Sequence, residues 1–482
     1  ARAGSLHGRW RAALGSARPM AQVAAAAPRR AEATAAASMP RVLNLRLSKM
    51  PPSATLAINE QSNAMRAAGH EVYKFGLGQS PFPVFEPMVE ALRAHAAEKD
   101  YLAVAGLREL REAIAGFNDR HFPVAPDESH APRTADDVII GPGSKELLFL
   151  LQLAYYGELL LPAPSWVSYG PQATLVGRPI SWLPTRQRSN WKVTAQELHD
   201  YCAASPTTPR LLVVNYPSNP TGATYTADEL AALAEVARRF RVLVAADEIY
   251  SMTTYDGPPA SIQQYYPEGT IVLGGASKYL GAGGWRVGFL SFAAELAWLR
   301  RGIAAAASET FTSVSAPLQY GAIPGFLPSP EADDYMDTQR RVLKLVAGYT
   351  TEALRGAGAT VRSPDGGFYV MPNFGTTERY RDAVDPRTGR ARLTSQRLAE
   401  EILTNTGVAL LGGSHFGLND PTLYARMAFV EFDGGAAQAA VRDLPRGTSH
   451  DDDAGREFVE RHAPRVVAGL ASLREFLTTR DA

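Results

Sequence analysis

Five short, almost wholly apolar runs recur through the middle of this chain, separated by segments of helical character. They are VIIG at the head of 136–156, ELLLPAPSW (158–166), RLLVVNYP (210–217), RVLVAADEIY (241–250) and TIVLGG (270–275). Strands this apolar need cover on both faces, and in a chain that alternates strand with helix this means a mainly parallel sheet between helix layers. Ligands of such sheets sit in a crevice beyond the carboxyl ends of the strands. Asn219, Asp247 and Lys278 each fall at or just after such an end, so successive βα units would gather them around one crevice.

A length of 482 residues exceeds one simple core, and the pattern changes after about residue 325. There, 359–374 and 407–417 flank a helix at 394–405, 424–432 alternates like a strand, and a long final helix covers 455–478. The expected organisation is a large α/β domain over 86–330 and a smaller α+β domain over 331–482. The segment 46–85 is expected to pack with the smaller domain. Helical spacing also marks 55–68, 86–97, 106–118, 226–239 and 330–355. The polar stretch 375–392 reads as an exposed excursion, and 444–454 as a loop.

Residues 1–45 differ in kind: they are rich in alanine and arginine, and Glu32 is their only acid. This is the composition of an organellar transit peptide or of a disordered alanine-rich extension. Basic and acidic residues number 49 each, which gives no pointer to nucleic acid or an anionic membrane. No apolar run reaches the roughly 18 residues of a membrane span. The expectation is a soluble intracellular protein of the cytoplasm or an organelle. A single cysteine, Cys202, excludes an intrachain disulfide and a multi-cysteine metal site. No metal site is expected.

Lys278 stands between TIVLGG and the glycine-rich turn of ASKYLGAGGWRVG (276–288). An amine so placed can be desolvated, lose its proton near neutral pH and attack an aldehyde, which makes it a Schiff-base candidate. A surface lysine at a strand end is the competing reading. With an aromatic aldehyde cofactor in the crevice, Asp247 would pair with the ring nitrogen, Asn219 and Tyr250 would reach the phenolic oxygen, and Trp166 would cover the ring. Gly143, Ser144 and Lys145 begin a helix whose free amides suit a phosphate, with Ser277 and Arg286 as further donors. Arg426, inside an alternating strand, would clamp a substrate carboxylate. Lys278 would then move a proton between the substrate Cα and the cofactor.

These motifs resemble the class I/II pyridoxal-phosphate-dependent aminotransferases, the aspartate aminotransferase-like superfamily of fold type I. NYPSNPTG (215–222) is similar to the family's asparagine-proline-glycine signature, ADEIY (246–250) to its ring-nitrogen carboxylate and companion tyrosine, and ASKYLGAGGWRVG to its lysine signature. PGSKELL (142–148) is similar to the phosphate-binding helix start and PAPSWVSY (162–169) to the ring-stacking segment. GLGQSP (76–81) is similar to the substrate loop, with Gly78 near the substrate carboxylate. The resemblance covers roughly 50–440 in family order.

It implies a seven-stranded sheet, pyridoxal 5'-phosphate as cofactor, and amino-acid and 2-oxo-acid substrates. Lys278, Asp247 and Tyr250 would be catalytic, and Gly78, Asn219 and Arg426 would bind substrate. It also implies a homodimer in which Tyr101, in KDYLAVAGLRELREAI (99–114), reaches the phosphate of the neighbouring subunit. Transamination is the leading activity, with an aspartate, aromatic or methionine-like donor. A lyase or cyclopropane-carboxylate-synthase-like elimination and a noncatalytic binding protein are the alternatives. Two departures stand out. Gly275 occupies the place of a phosphate-binding serine, and Gly412-Gly413 replaces a proline-glycine pair, a change expected to loosen that loop.

Overall fold

The computed structural model describes residues 42–48, 50, 52–124, 132–385, 387–388, 391–418 and 423–479. Apart from residues 42–45, the alanine- and arginine-rich segment and its transit-peptide reading lie outside them. The strands in chain order are β1 (Tyr73–Lys74), β2 (Val138–Gly141), β3 (Glu158–Ala163), β4 (Ile180–Pro184), β5 (Arg210–Asn215) and β6 (Leu243–Asp247). They continue with β7 (Thr270–Gly275), β8 (Gly288–Ser291), β9 (Tyr369–Val370), β10 (Val408–Ala409), β11 (Leu411–Gly412) and β12 (Ala425–Ala428).

Seven of these form one sheet in the order β2-β8-β7-β6-β5-β3-β4. All its pairings are parallel except those of β8, which runs antiparallel to β2 and β7. The pleat sends alternate residues to opposite faces. Leu159, Leu161, Leu211, Val213 and Ala245 pack on one side with Leu147, Leu151 and Ile303 of the helices Ser144–Ala154 and Ala297–Ser308. Leu160, Leu212, Val214, Val244 and Ala246 pack on the other with Leu198, Leu230 and Leu233. Each leucine, isoleucine or valine among them contributes about 1.5–3 kcal/mol by leaving water, so a helix on each face is what makes these all-apolar strands stable.

The mainly parallel α/β sheet is the expected one, yet β4 and β8 are absent from the five apolar runs. β4 is an edge strand whose Trp182 is exposed, and β8 is four residues in a glycine-rich stretch. Neither carries the continuous apolar signal of a central strand.

Beyond the sheet, the 27-residue helix Pro330–Gly356 shares a core with the C-terminal helices through Val342, Val346, Val459, Val466 and Leu470. A small antiparallel sheet, β11-β12-β9, lies in this region, and β1 pairs in parallel with β10. The single final helix expected over 455–478 is two, Asp453–His462 and Pro464–Thr478. Pro464 lacks the N–H needed to continue the first and is suited to start the second.

The 375–392 excursion is also anchored more firmly than its polarity suggests. Thr377 and Tyr380 are buried and the Arg379 guanidinium lies 3.9 Å from the Phe476 ring centroid. Nor is the Gly412-Gly413 pair loose: both residues are buried, and the Gly413 amide donates to Tyr424 O at 2.8 Å. Among the described residues no helix is long and apolar enough to cross a membrane. Cys202 is buried, and burial pushes its thiol up, as a structural thiol requires.

Candidate active site

Strands β5 and β6 end side by side, with Asn215 opposite Asp247, and β7 ends next to them at Gly275. Asn215 ties the edge together: its Nδ2 donates to Asp247 O at 2.7 Å and its Oδ1 accepts from the Asn219 amide at 2.6 Å. The turn that follows β5 is thereby folded back over the sheet. A cavity of about 450 Å³ opens at this edge, within the roughly 300–1,000 Å³ usual for small-molecule sites. Gly78, Ser144, Lys145, Trp166, Asn219 and Asp247 line it together with Tyr250, Ser277, Lys278, Arg286 and Arg426. Gly143 stands just behind, as the residue before helix Ser144–Ala154. Tyr101 is outside the cavity and 93% exposed.

Asp247 is buried at the cavity floor. Tyr169 Oη donates to its Oδ2 at 2.6 Å, and the Ile249 amide lies 3.4 Å from its Oδ1. Burial pushes this carboxyl up to about 6, against the Tyr169 hydrogen bond, the Ile249 amide and the Lys278 charge, which all pull it down. Lys278 borders the cavity, and its Nζ donates to Gly78 O at 3.1 Å. Its ammonium is pushed down to about 8, first by burial and then by the charges of Arg426 and Arg286. The amine is therefore poised to release its proton near neutral pH. Tyr250 and Tyr369 share a hydrogen bond of 3.0 Å, and burial holds both phenols above their ordinary range.

At the other end, Arg286 Nη1 donates to Gly283 O at 3.0 Å, and its backbone adopts the left-handed φ of 57° that side chains seldom take. Its guanidinium occupies the space a side chain at Gly143 would need, and a side chain at Gly288 would strike the Ser144 amide. Gly275 has the same origin: a Cβ there would stand 2.7 Å from Val287 O, so a serine cannot take this place as the backbone lies. Ser277, two residues on, lines the cavity instead.

Arg426 is fully buried on β12. Its Nη1 donates to Asn219 Oδ1 at 3.0 Å, its Nη2 to Gly76 O, and its Nε has no hydrogen-bond partner. A buried guanidinium with its Nε unpaired among the described residues, lining a cavity, suits a carboxylate guest.

The residues present fit pyridoxal phosphate. A carboxylate suits the ring nitrogen and an amine with a lowered pKa suits the aldehyde. Glycine, serine and arginine form an anion cradle at a helix start, where the first amides lack intrahelical partners.

Three residues escape the sequence reading. Tyr169, three places after Trp166, and Tyr369, in the segment SPDGGFYV, enter the site only through folding. Glu248, beside Asp247, faces away and accepts from Tyr216 Oη at 2.7 Å and from Ser261, which anchors the β5 turn from behind.

The class I and II aminotransferase family model matches residues 70–430. An aspartate aminotransferase of Geobacillus stearothermophilus is 30% identical over 387 residues, covering 78% of this chain and 92% of that protein. An aspartate/prephenate aminotransferase of Cereibacter sphaeroides is 30% identical over 386 residues, covering 77% and 91%. The solved structure of Thermus thermophilus aspartate aminotransferase with maleate superposes with a TM-score of 0.74 at 24% identity, covering 91% of this chain and 100% of that one. These relatives are transferases rather than lyases, and their architecture is the fold described above. The chain belongs to the class I and II aminotransferases and is a pyridoxal-phosphate-dependent enzyme of fold type I.

Proposed function

We propose that this aminotransferase takes a dicarboxylic amino acid of the aspartate type as donor and a 2-oxo acid as acceptor. The observation that carries this reading is a second set of donors lining the same cavity as Arg426. Lys145, Ser53 and Thr55 line the cavity, and among the described residues Ser53 makes no capping bond to its own helix Ala54–Ala67 and the buried Thr55 Oγ1 has no partner. Burial and the neighbouring Arg286 push the Lys145 ammonium down, so a carboxylate there would be welcome. In support, the relatives above are named for aspartate and one structure holds maleate, a dicarboxylate.

Bound pyridoxal phosphate supplies a sink for the electrons left when a bond at the substrate Cα breaks. Asp247 provides the negative partner that keeps a ring nitrogen protonated, with Tyr169 fixing its orientation. Gly143, Ser144, the Lys145 amide, Ser277 and Arg286 would hold the phosphate, and Trp166 would cover the ring. Asn219 and Tyr250 would serve the phenolic oxygen. Arg426 and the Gly78 loop hold the α-carboxylate, which sets the Cα–H bond in reach of Lys278. The Lys278 amine would take that proton from Cα and deliver it to the carbon of the cofactor's aldehyde, and the reverse transfer would serve the 2-oxo acid.

The active unit in this reading is a homodimer, supported by the exposure of Tyr101, an aromatic side chain with no cover in the single chain. Closure of residues 331–482 with 46–85 onto 86–330 would exclude water during the proton transfer.

Donor profiling with Lys145→Gln tests the donor class. The reading expects kcat/KM for aspartate to fall at least ~10-fold while alanine changes little. An equal loss for both donors would contradict it.

A further inference from the structure

A cavity of about 930 Å³, larger than the active-site cavity, shares no lining residue with it. Its walls come from the loop 188–195, the turn at 224–226, the middle of helix Pro330–Gly356 and the segment 362–365. Three carboxylates face it, and each is matched. Glu229 pairs with Lys192 at 2.6 Å, Asp256 pairs with Lys344 at 2.6 Å, and Asp365 Oδ2 accepts from Asn190 Nδ2 at 3.1 Å and from the Thr224 amide at 3.0 Å. Arg188 and Arg362 line the same cavity, and among the described residues neither guanidinium has a hydrogen bond or ion pair. Two exposed guanidinium groups without protein partners, on separate segments of one concavity, favour a ligand with two anionic groups.

The loop that carries Arg188 has an unusual backbone. Asn190 and Trp191, in succession, hold left-handed φ values of 53° and 58°. Strain of this kind in non-glycine residues persists only where the surroundings enforce it, and it concentrates at ligand clamps and switch segments. The surroundings here are Asp365, which holds the Asn190 side chain, and Tyr424, against which Trp191 packs edge-on at 5.1 Å.

Both arginine-bearing segments reach the substrate clamp by short chains of contact. Tyr424 begins the stretch that leads into β12 and Arg426. The Asp365 amide donates to Gly222 O at 2.8 Å, and Gly222 closes the turn that carries Asn219, the partner of Arg426 Nη1.

We propose that this cavity is a regulatory site for a small anion with at least two charged groups, held between Arg188 and Arg362, whose occupancy is felt at the Arg426–Asn219 clamp. A ligand that draws the two segments together moves both supports of the clamp. It therefore alters donor affinity rather than the chemical step. By linkage, the donor alters the affinity for the anion by the same factor.

Inorganic pyrophosphate, titrated into the holoenzyme by calorimetry, is the probe, with citrate in parallel to separate phosphate from carboxylate recognition. The expected result is saturable binding of one ion per chain beyond the cofactor, weakened at least ~10-fold in the double variant Arg188→Gln/Arg362→Gln. Without the anion, that variant should match the parent in melting temperature and kcat. In the parent, the anion should shift donor KM at least ~3-fold at unchanged kcat, and the variant should lose this shift. Absence of binding at about 10 mM, binding of equal strength in the double variant, or an unmoved KM would each overturn the proposal. Binding is read without reference to donor identity, so a failure here is distinct from a failure of the dicarboxylic-donor reading.

Discussion

Tyr169 Oη donates a 2.6 Å hydrogen bond to Oδ2 of Asp247, and both side chains are buried. The phenol offsets part of the cost of a buried carboxylate and leaves Oδ1 to face its other contacts. Tyr169→Phe removes a donor that nothing nearby replaces. The Asp247 carboxyl should then titrate above its present value of about 6, and kcat/KM should fall about 10- to 100-fold, the worth of one hydrogen bond to a charged group. A pH titration of the bound cofactor's absorbance separates this from a packing defect, because only loss of the hydrogen bond moves the titration.

Asp247 also makes a stability prediction for the cofactor-free chain. Its folded pKa of about 6 lies above the ordinary 3.8, so the folded state favours the protonated carboxyl. That contribution is complete below pH 3.8 and is lost as the pH rises through 6. Asp247→Asn, which can still accept from Tyr169, should therefore stabilise the cofactor-free chain above pH 6 by about 3 kcal/mol, two units at roughly 1.4 kcal/mol each, and by well under about 1 kcal/mol near pH 4. Denaturant melts at the two pH values check this, and activity should be lost at both, as expected where function costs stability.

Much of the site was legible because its chemistry sits at strand ends. A carboxylate closing β6 and a lysine just past β7 can be read as neighbours once the strands are taken as parallel. What escaped was set by three-dimensional packing. Tyr169 begins a short helix after Trp166, and nothing in its local pattern says that its hydroxyl turns toward β6. Tyr369 reads as a strand residue of the C-terminal region until its hydroxyl meets Tyr250. The edge strand β4 and the antiparallel β8 lack the apolar run that marks their neighbours. The reason for Gly275, the closeness of β8's backbone, becomes visible only when the two strands pair.

Gly275→Ser tests that last point. The obstacle is the Val287 carbonyl, which is backbone and cannot swing aside, so restoring the family's serine should destabilise the chain by about 1–3 kcal/mol without improving cofactor retention. Thermal melts with and without cofactor provide the check.

Arg426→Lys should lower kcat/KM about 100-fold for every amino donor alike, because in the proposed role the forked guanidinium would meet the carboxylate common to all of them. Steady-state kinetics with aspartate, alanine and phenylalanine measure it. Unequal losses would place Arg426 at the donor's side chain instead.

The role of Lys278 is the centre of the account, and the absorbance of the covalently held cofactor tests it most directly. In Lys278→Ala, that band should disappear, the cofactor should wash out on dialysis against an amine-free buffer, and transamination should be lost. A variant that keeps the same band and the same covalently retained cofactor would contradict the assignment.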